Sequence, residues 1–216
     1  MDAIFEKVIS NLERNNIKGL YAKDKAEAFE IVKTLLKDGD TVGVGGSMSL
    51  FECGVIDHLR CGKYNFLDRY ADNLSKDDVN DIYRKSFSAD AYLCSSNAIT
   101  ENGDLYNVDG NSNRVAAILY GPASVIMIVG KNKIVKNIDE AVKRVKTIAA
   151  PKNCDRLNLD TYCRLKGECM SLLNENADMC EGCKGDTRIC CNYVVSSYQR
   201  TKDRIKVMLV DEEIGY

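Results

Sequence analysis

TVGVGGSMSLFECGVIDHLR, residues 41–60, is the stretch whose reading decides the fold. Thr41 to Val44 is short and mostly β-branched, and it runs without a break into Gly45-Gly46-Ser47-Met48-Ser49. Leu50, Cys53, Gly54, Ile56 and Leu59 then resume a helical period. The pattern is a buried strand, a glycine-serine loop and a helix. Upstream, Asp24 reads as an N-cap, Ala28, Ile31, Val32, Leu35 and Leu36 recur at helical spacing, and Asp38-Gly39 is the stop. Ile4, Phe5, Val8, Ile9 and Leu12 share one face of an earlier amphipathic helix.

Downstream the alternation continues. Asn65 to Asp68 reads as a strand, Lys76 to Phe87 as a helix and Ala89 to Cys94 as a second buried strand. Ile99 to Val108 carries Asn102-Gly103 near its centre, the signature of a two-residue hairpin turn. Arg114 to Tyr120 gives one or two helical turns stopped by Gly121-Pro122. Ser124 to Val129 is the most strand-like run, with Lys131-Asn132-Lys133 at its exit, and Ile138 to Ala149 is a helix that turns Ala141, Val142, Val145 and Ile148 inward. Strands alternating with helices predict an α/β fold whose mainly parallel sheet is covered by helices. This body spans residues 1–150, a cysteine-rich excursion spans 151–204, and Ile205 to Val210 within 205–216 is a closing strand that returns to the body.

Composition narrows the function. Hydrophobic residues make up 45% of 216 and the formal charge is −2, so no basic surplus exists to neutralise a nucleic-acid backbone. The longest apolar runs fall far short of the roughly 20 residues of a membrane span. Asp2 and Glu6 interrupt the first helix where a secretory leader would carry a basic start and a small-residue cleavage site, so the expected location is the cytoplasm. Seven of the ten cysteines follow Lys152. In a reducing compartment, such clustering points to metal binding or redox chemistry before it points to disulfides.

Three constellations carry chemistry. Gly45, Gly46, Ser47 and Ser49 form a strand-to-helix loop whose backbone N–H groups and hydroxyls suit a small anionic ligand, a phosphate or a carboxylate. The loop departs from a dinucleotide fingerprint, since Met48 stands where the third glycine belongs, although Asp68 lies about 20 residues on. In Thr100-Glu101-Asn102-Gly103 the glutamate is a candidate general base or carboxylate nucleophile, or a plain turn residue, with Asp104, Asp109 and Arg114 as a polar cluster nearby. Finally, Cys180-x2-Cys183 is a knuckle that aims two thiolates at one ion, Cys190 follows after six residues, and Cys163 or Cys169 completes four ligands. The chain's single histidine, His58, falls in a helical segment, so ligation is all-thiolate and fits an iron-sulfur cluster or a four-thiolate zinc site.

The strings GVGGSMSLFECGVIDHLR, ITENGDLYNVDGNSNRVAAILYGPASVIMIVGKNKIV, RICCN and IKVMLVDEEIGY, in this order, resemble the LUD domain family of lactate-utilisation proteins, the LutC and YkgG relatives. The resemblance implies a Rossmann-like three-layer body shared with sugar-phosphate isomerases and CoA transferases, with Gly45, Gly46, Ser47 and Ser49 at its ligand loop. Thr100-Glu101-Asn102-Gly103 is similar to the Ser-Glu-Asn-Gly string that supplies the nucleophilic glutamate of CoA transferases, with threonine in place of serine. A family pattern C-x5-C-x2-C-x6-C is matched by Cys163-x5-Cys169 and by Cys180-x2-Cys183-x6-Cys190, with ten residues inserted between Cys169 and Cys180. The implied function is an accessory or electron-transfer part in oxidation of lactate to pyruvate, beside iron-sulfur partner proteins. The alternatives are acyl or CoA transfer through Glu101, and a non-enzymatic sensor of anions or sugar phosphates. For the metal, Cys163, Cys183 and Cys190 are the expected ligands. Cys180, on the same knuckle as Cys183, is preferred over Cys169 as the fourth, and an iron-sulfur cluster is preferred over zinc.

Overall fold

A computed structural model describes residues 1–216. The chain begins with α1 (Ala3–Arg14), β1 (Lys18–Ala22), α2 (Lys25–Leu35) and β2 (Thr41–Val44). Asp24 caps α2 by accepting from the Glu27 amide at 2.8 Å. Beyond the glycine-serine loop come α3 (Met48–Glu52), α4 (Val55–Leu59), β3 (Asn65–Phe66), α5 (Lys76–Lys85) and β4 (Ala91–Cys94). The hairpin β5 (Ala98–Thr100) and β6 (Leu105–Asp109) turns at Gly103, whose φ of +84° is the left-handed conformation this turn requires. There follow α6 (Asn113–Leu119), β7 (Ser124–Gly130), β8 (Ile134–Val135), α7 (Ile138–Arg144), α8 (Ala150–Arg156), α9 (Tyr162–Lys166), β9 (Asn192–Ser196) and β10 (Ile205–Val210).

Six strands form one all-parallel sheet in the order β1-β10-β7-β4-β2-β3. Its three central strands are apolar on both faces, and the twofold alternation of side chains divides them between two cores. Leu93 of β4, Ile126 and Ile128 of β7 and Met208 and Val210 of β10 pack with α2, α3 and α4. Tyr92, Val125, Met127, Val207 and Leu209 point the other way, onto α1, α6 and the hairpin. The result is a three-layer α/β body. A second sheet, β8-β5-β6-β9, is mixed, because β5 pairs β8 in parallel while β6 is antiparallel to both β5 and β9.

Several elements differ from the sequence expectations. The helix after residue 47 is two short helices, broken at Gly54 with φ +70°. β1 was not anticipated: Lys18-Gly19-Leu20 is a weak strand former, and Gly19 is there because a Cβ would stand 2.9 Å from Ile9 of α1. The helix starting at Ile138 does not stop at Ala149. It runs to Arg156 through a π turn at Val145–Ala149, just ahead of Pro151, which has no amide to give the carbonyl four residues upstream. The extra residue in that turn shifts the helical phase, so Ile148, expected inward, is 39% exposed. β9 lies within the cysteine-rich segment and forms one edge of the second sheet, while β10 inserts between β1 and β7.

Gly43 marks how tightly the sheet is covered. A Cβ there would lie 2.6 Å from Ser86 Oγ and 3.1 Å from the Tyr92 ring. Gly43→Ala is expected to lower the unfolding free energy by roughly 1–3 kcal/mol, the usual cost of overpacking. Adding Ser86→Gly should recover part of the loss, as read by guanidinium denaturation of both variants.

Candidate functional site

The strand order places a cleft. After β2 the chain leaves through α3 and α4 on one face and turns to β3 on one side. After β4 it passes through the hairpin and α6 on the other face and turns to β7 on the other side. Neighbouring strands whose connections diverge leave a crevice beyond their carboxyl ends, the usual ligand position in open α/β sheets. A cleft of about 450 Å³ lies there, lined by Gly46 and Ser47 after β2, by Ser95, Ser96 and Asn97 after β4, by Lys133 after β7 and by α8.

Its field is positive. Arg69, Arg114, Lys133, Arg156 and Arg188 line the cleft against one carboxylate, Asp109. These cations do different work. Arg114 is saturated: its Nη1 donates to Asn107 Oδ1 at 2.6 Å and to Ser95 O at 3.2 Å, and its Nη2 donates to Asn97 Oδ1 and Val108 O. Asp109 stands 3.6 Å from Arg114 Nε and accepts from the amides of Arg114 and Val115, so it starts α6 and balances the guanidinium. Arg69 has no acidic partner and rests over the rings of Tyr70 and Tyr83, while Arg156 bonds only to Asn153 in its own helix and faces Tyr216. Arg69 and Arg156 are therefore the cations left to meet an anion.

Lys133 forms the floor and is 2% exposed. Its Nζ donates to Ser49 Oγ at 3.0 Å and Ser95 Oγ at 3.1 Å, with no carboxylate in contact. Burial, reinforced by the Arg144 and Arg114 charges, pushes its amine down to about 7. Residues 214–216 close this floor: a Cβ at Gly215 would lie 3.0 Å from Lys133 Nζ. Neither Lys133 nor Arg69 nor Arg156 was singled out in the sequence. Lys133 reads there as the solvated charge that ends a strand, and only the packing of Ser49, Ser95 and Gly215 around it makes it a buried amine.

The loop residues divide. Gly46 and Ser47 line the cleft, and Ser47 Oγ is buried with no hydrogen-bond partner. Gly45 lies beneath, where a Cβ would strike Arg114 Cδ at 3.1 Å, and Ser49 is behind the loop on Lys133. The following helix has only five residues, so side-chain cations rather than a long helix dipole supply the positive field. Glu101 is elsewhere. It pairs with Lys7 at 2.6 Å near Asp2, Lys131 and Lys136, and shares no cavity with the loop. Asp109 and Arg114 do cluster as expected, whereas Asp104 accepts from Thr100 Oγ1 at the hairpin turn. His58 is half-buried between Phe29 and Tyr64, away from the cleft.

The cysteine segment forms one wall. Arg188 donates to the carbonyls of Cys180, Cys183 and Cys190, each at 2.7 Å, and Cys190 and Cys191 line the cleft. Cys154, not named among the candidates, accepts from Cys163 with the sulfurs 3.6 Å apart. Cys190 is pushed up to about 12 by burial first and by the nearby Cys154, Cys163, Cys169 and Cys183 thiols. Cys169 Sγ lies against Gly182 of the knuckle, so the ten intervening residues fold back, and Cys180 is exposed. An all-sulfur donor set suits a thiophilic ion, but no three of these side chains are arranged to hold one.

A model of the LUD domain matches residues 5–210. Among solved structures, the crystal structure of a DUF162 family protein from Deinococcus radiodurans is similar, at 16% identity with a TM-score of 0.51 over 96% of each chain. The crystal structure of eIF2B delta from Chaetomium thermophilum aligns at 18% identity with a TM-score of 0.38, over 62% of this chain and 54% of that one. No curated protein matches. No helix is long and apolar enough to cross a membrane.

The buried amine makes a pH prediction. Lys133 titrates near 7 in the fold and at the ordinary 10.5 when unfolded, so between those values the folded state binds fewer protons. Below about pH 7 both states are protonated and the full cost of burying the charge is present, and it disappears as pH rises toward 10.5. Arg144 and Arg114 disfavour the charge there, while Glu52 and Cys53 favour it. Unfolding free energy should therefore gain up to about 1.4 kcal/mol per pH unit above neutrality from this group. Lys133→Met should remove that gain and be the more stable protein near pH 6, as read by denaturant titrations of both proteins across the range.

Proposed function

The chain belongs to the LUD domain family, and from that membership we propose that it is a lactate-utilisation protein that binds a small carboxylate in this cleft. In this reading it serves as an accessory or electron-transfer component in oxidation of lactate to pyruvate. One observation carries it: five cations face a single carboxylate around a cleft of about 450 Å³ at the diverging strand ends. A bare cluster of this kind is costly unless an anion completes it. Arg69 and Arg156, having no acidic partner, hold the carboxylate. Ser47 Oγ, buried and without a partner, takes a further hydrogen bond from or to the ligand. The neighbouring backbone of Gly46 is open enough for close approach.

Titration calorimetry with lactate, pyruvate, phosphate and acetate tests the reading. Lactate or pyruvate should bind more tightly than acetate or phosphate. Arg69→Gln should weaken binding about tenfold, the scale of one lost charge-assisted hydrogen bond. Absence of binding by both lactate and pyruvate would remove the reading.

The electron-transfer half of the proposal rests on the family membership and the all-cysteine composition of the wall, whose thiols would have to draw together to bind an ion. Cys163, Cys183 and Cys190 would hold an iron-sulfur cluster, or zinc in its place, with Cys180 or Cys169 as the fourth ligand. When bound, the cluster supplies one-electron transfer beside the carboxylate site, toward iron-sulfur partner proteins. What the chain itself supplies is a wall ordered by Arg188 and shielded by Cys154. Anaerobic purification followed by metal analysis of single Cys→Ser variants decides the set. Full metal in Cys183→Ser would sink the site, while loss in Cys169→Ser with retention in Cys180→Ser would assign the fourth ligand to Cys169.

A further inference from the structure

We infer that Lys133 is a carbonyl-capturing nucleophile: its Nζ, held at the cleft floor between the hydroxyls of Ser49 and Ser95, adds to the keto carbon of a 2-oxo acid and forms an imine. The inference rests on the carboxylate-binding reading above and assigns a covalent step to the same site.

Four features of the geometry point to it. First, a lysine whose task is to hold an anion is normally solvated or paired, whereas Lys133 is 2% exposed and touches no carboxylate. Second, the nearest charges, on Arg144 and Arg114, are themselves fixed by carbonyl and amide oxygens: Arg144 donates to Asn132 O at 2.9 Å and Asn97 O at 2.6 Å. They cannot move away, and a desolvated amine beside fixed cations is the arrangement that turns lysine into a nucleophile. In keeping with this, an amine titrating near 7 is about half neutral at neutral pH, where an ordinary lysine is neutral in about one molecule in a few thousand. Third, Lys133 lines the same cleft as Arg69 and Arg156, the cations without an acidic partner, so a carboxylate held by those guanidinium groups leaves the adjoining keto carbon for the amine. Fourth, the two hydroxyls that contact Nζ are placed to pass protons during dehydration.

The step balances without an oxidant or a second reactant. The nitrogen lone pair forms the C–N bond as the carbonyl π pair moves to oxygen, which takes a proton, and the nitrogen loses one through Ser49 or Ser95 to give the carbinolamine. Loss of the hydroxyl as water, taking a proton from Ser49 or Ser95, forms the C=N bond as an iminium, which returns its N–H proton to the same hydroxyl to give the imine. The sum is amine plus ketone giving imine plus water. Lactate has the same carboxylate but no carbonyl and cannot react in this way, so the site distinguishes the 2-oxo acid from the 2-hydroxy acid chemically as well as by fit.

The test is reductive trapping on the full-length protein. Pyruvate with sodium cyanoborohydride near pH 7.5 should convert Lys133 to the secondary amine N-(1-carboxyethyl)lysine at least about tenfold faster than the other lysines, mapped by peptide mass spectrometry. Lactate under the same conditions should leave no adduct. Ser49→Ala and Ser95→Ala should slow trapping at Lys133, and Lys133→Met should abolish it. Calorimetric binding of pyruvate without an adduct would overturn the nucleophile and leave the carboxylate site standing. Adducts spread evenly over exposed lysines such as Lys131 and Lys136 would overturn it as well. Neither binding nor adduct would remove both readings together.

Discussion

A buried ammonium group without a carboxylate is the constraint around which the molecule is arranged. Lys133, Arg114 and Arg144 bring three cationic side chains to one small region, where Asp109 faces Arg114 and Glu52 acts on Lys133 without touching it. Left bare, such a group would cost several kcal/mol per ion. The fold offsets this with fixed dipoles: carbonyls of Ser95, Asn97, Val108 and Asn132, amide oxygens of Asn97 and Asn107, and hydroxyls of Ser49 and Ser95. These acceptors sit on the segments that follow β2, β4 and β7 and on β6. The positive centre therefore exists only when the parallel sheet and the second sheet are both assembled.

That dependence explains the layering. A parallel sheet buries both faces, so the middles of the central strands are almost wholly apolar and most polar chemistry is displaced to the strand ends, as with Lys206 and Ser124 at the starts of β10 and β7. The ends of β2 and β4 are the pair where the chain departs in opposite directions, which leaves room for a ligand. The π turn at Val145–Ala149 serves the same place: it carries the long helix past Pro151 and brings Asn153 and Arg156 over the cleft. π turns inside helices are often found at functional sites, and here the altered phase is what presents α8 to the opening.

The periodic elements were legible in the sequence because local rules govern them. The Asp24 cap, the β-branched runs of β2 and β7 and the Asn102-Gly103 turn each follow from a short-range preference that burial only reinforces. β1 was not legible, since Lys18-Gly19 becomes a strand through its neighbour's hydrogen bonds rather than its own propensity, and β9, although Tyr193-Val194-Val195 are good strand formers, was masked by the polar cysteine-rich run before it. The site was legible in part. Gly46 and Ser47 do line a cleft, and Asp109 and Arg114 do pair. Lys133 was not readable because its character comes from residues distant in the chain: Ser49, Ser95 and Gly215 convert a charged strand exit into an enclosed amine. Glu101 shows the converse, a motif whose neighbours in space, Lys7 above all, differ from those its four-residue string implies.

The cleft and the cysteine segment are mechanically one unit. Arg188 spans from the cleft wall to three cysteine carbonyls, and the Cys191 amide donates to Asp109 O at 3.2 Å, on the strand whose side chain balances Arg114. Gly110 is tight against Ile189, with a Cβ position only 3.3 Å from its carbonyl oxygen, so the wall cannot move inward without displacing the end of β6. β9, which begins immediately after the last cysteines, is hydrogen-bonded along β6. The cysteine segment is thus joined to the cleft through one guanidinium and one strand pairing, and its wall is fixed by the same strand that carries Asp109.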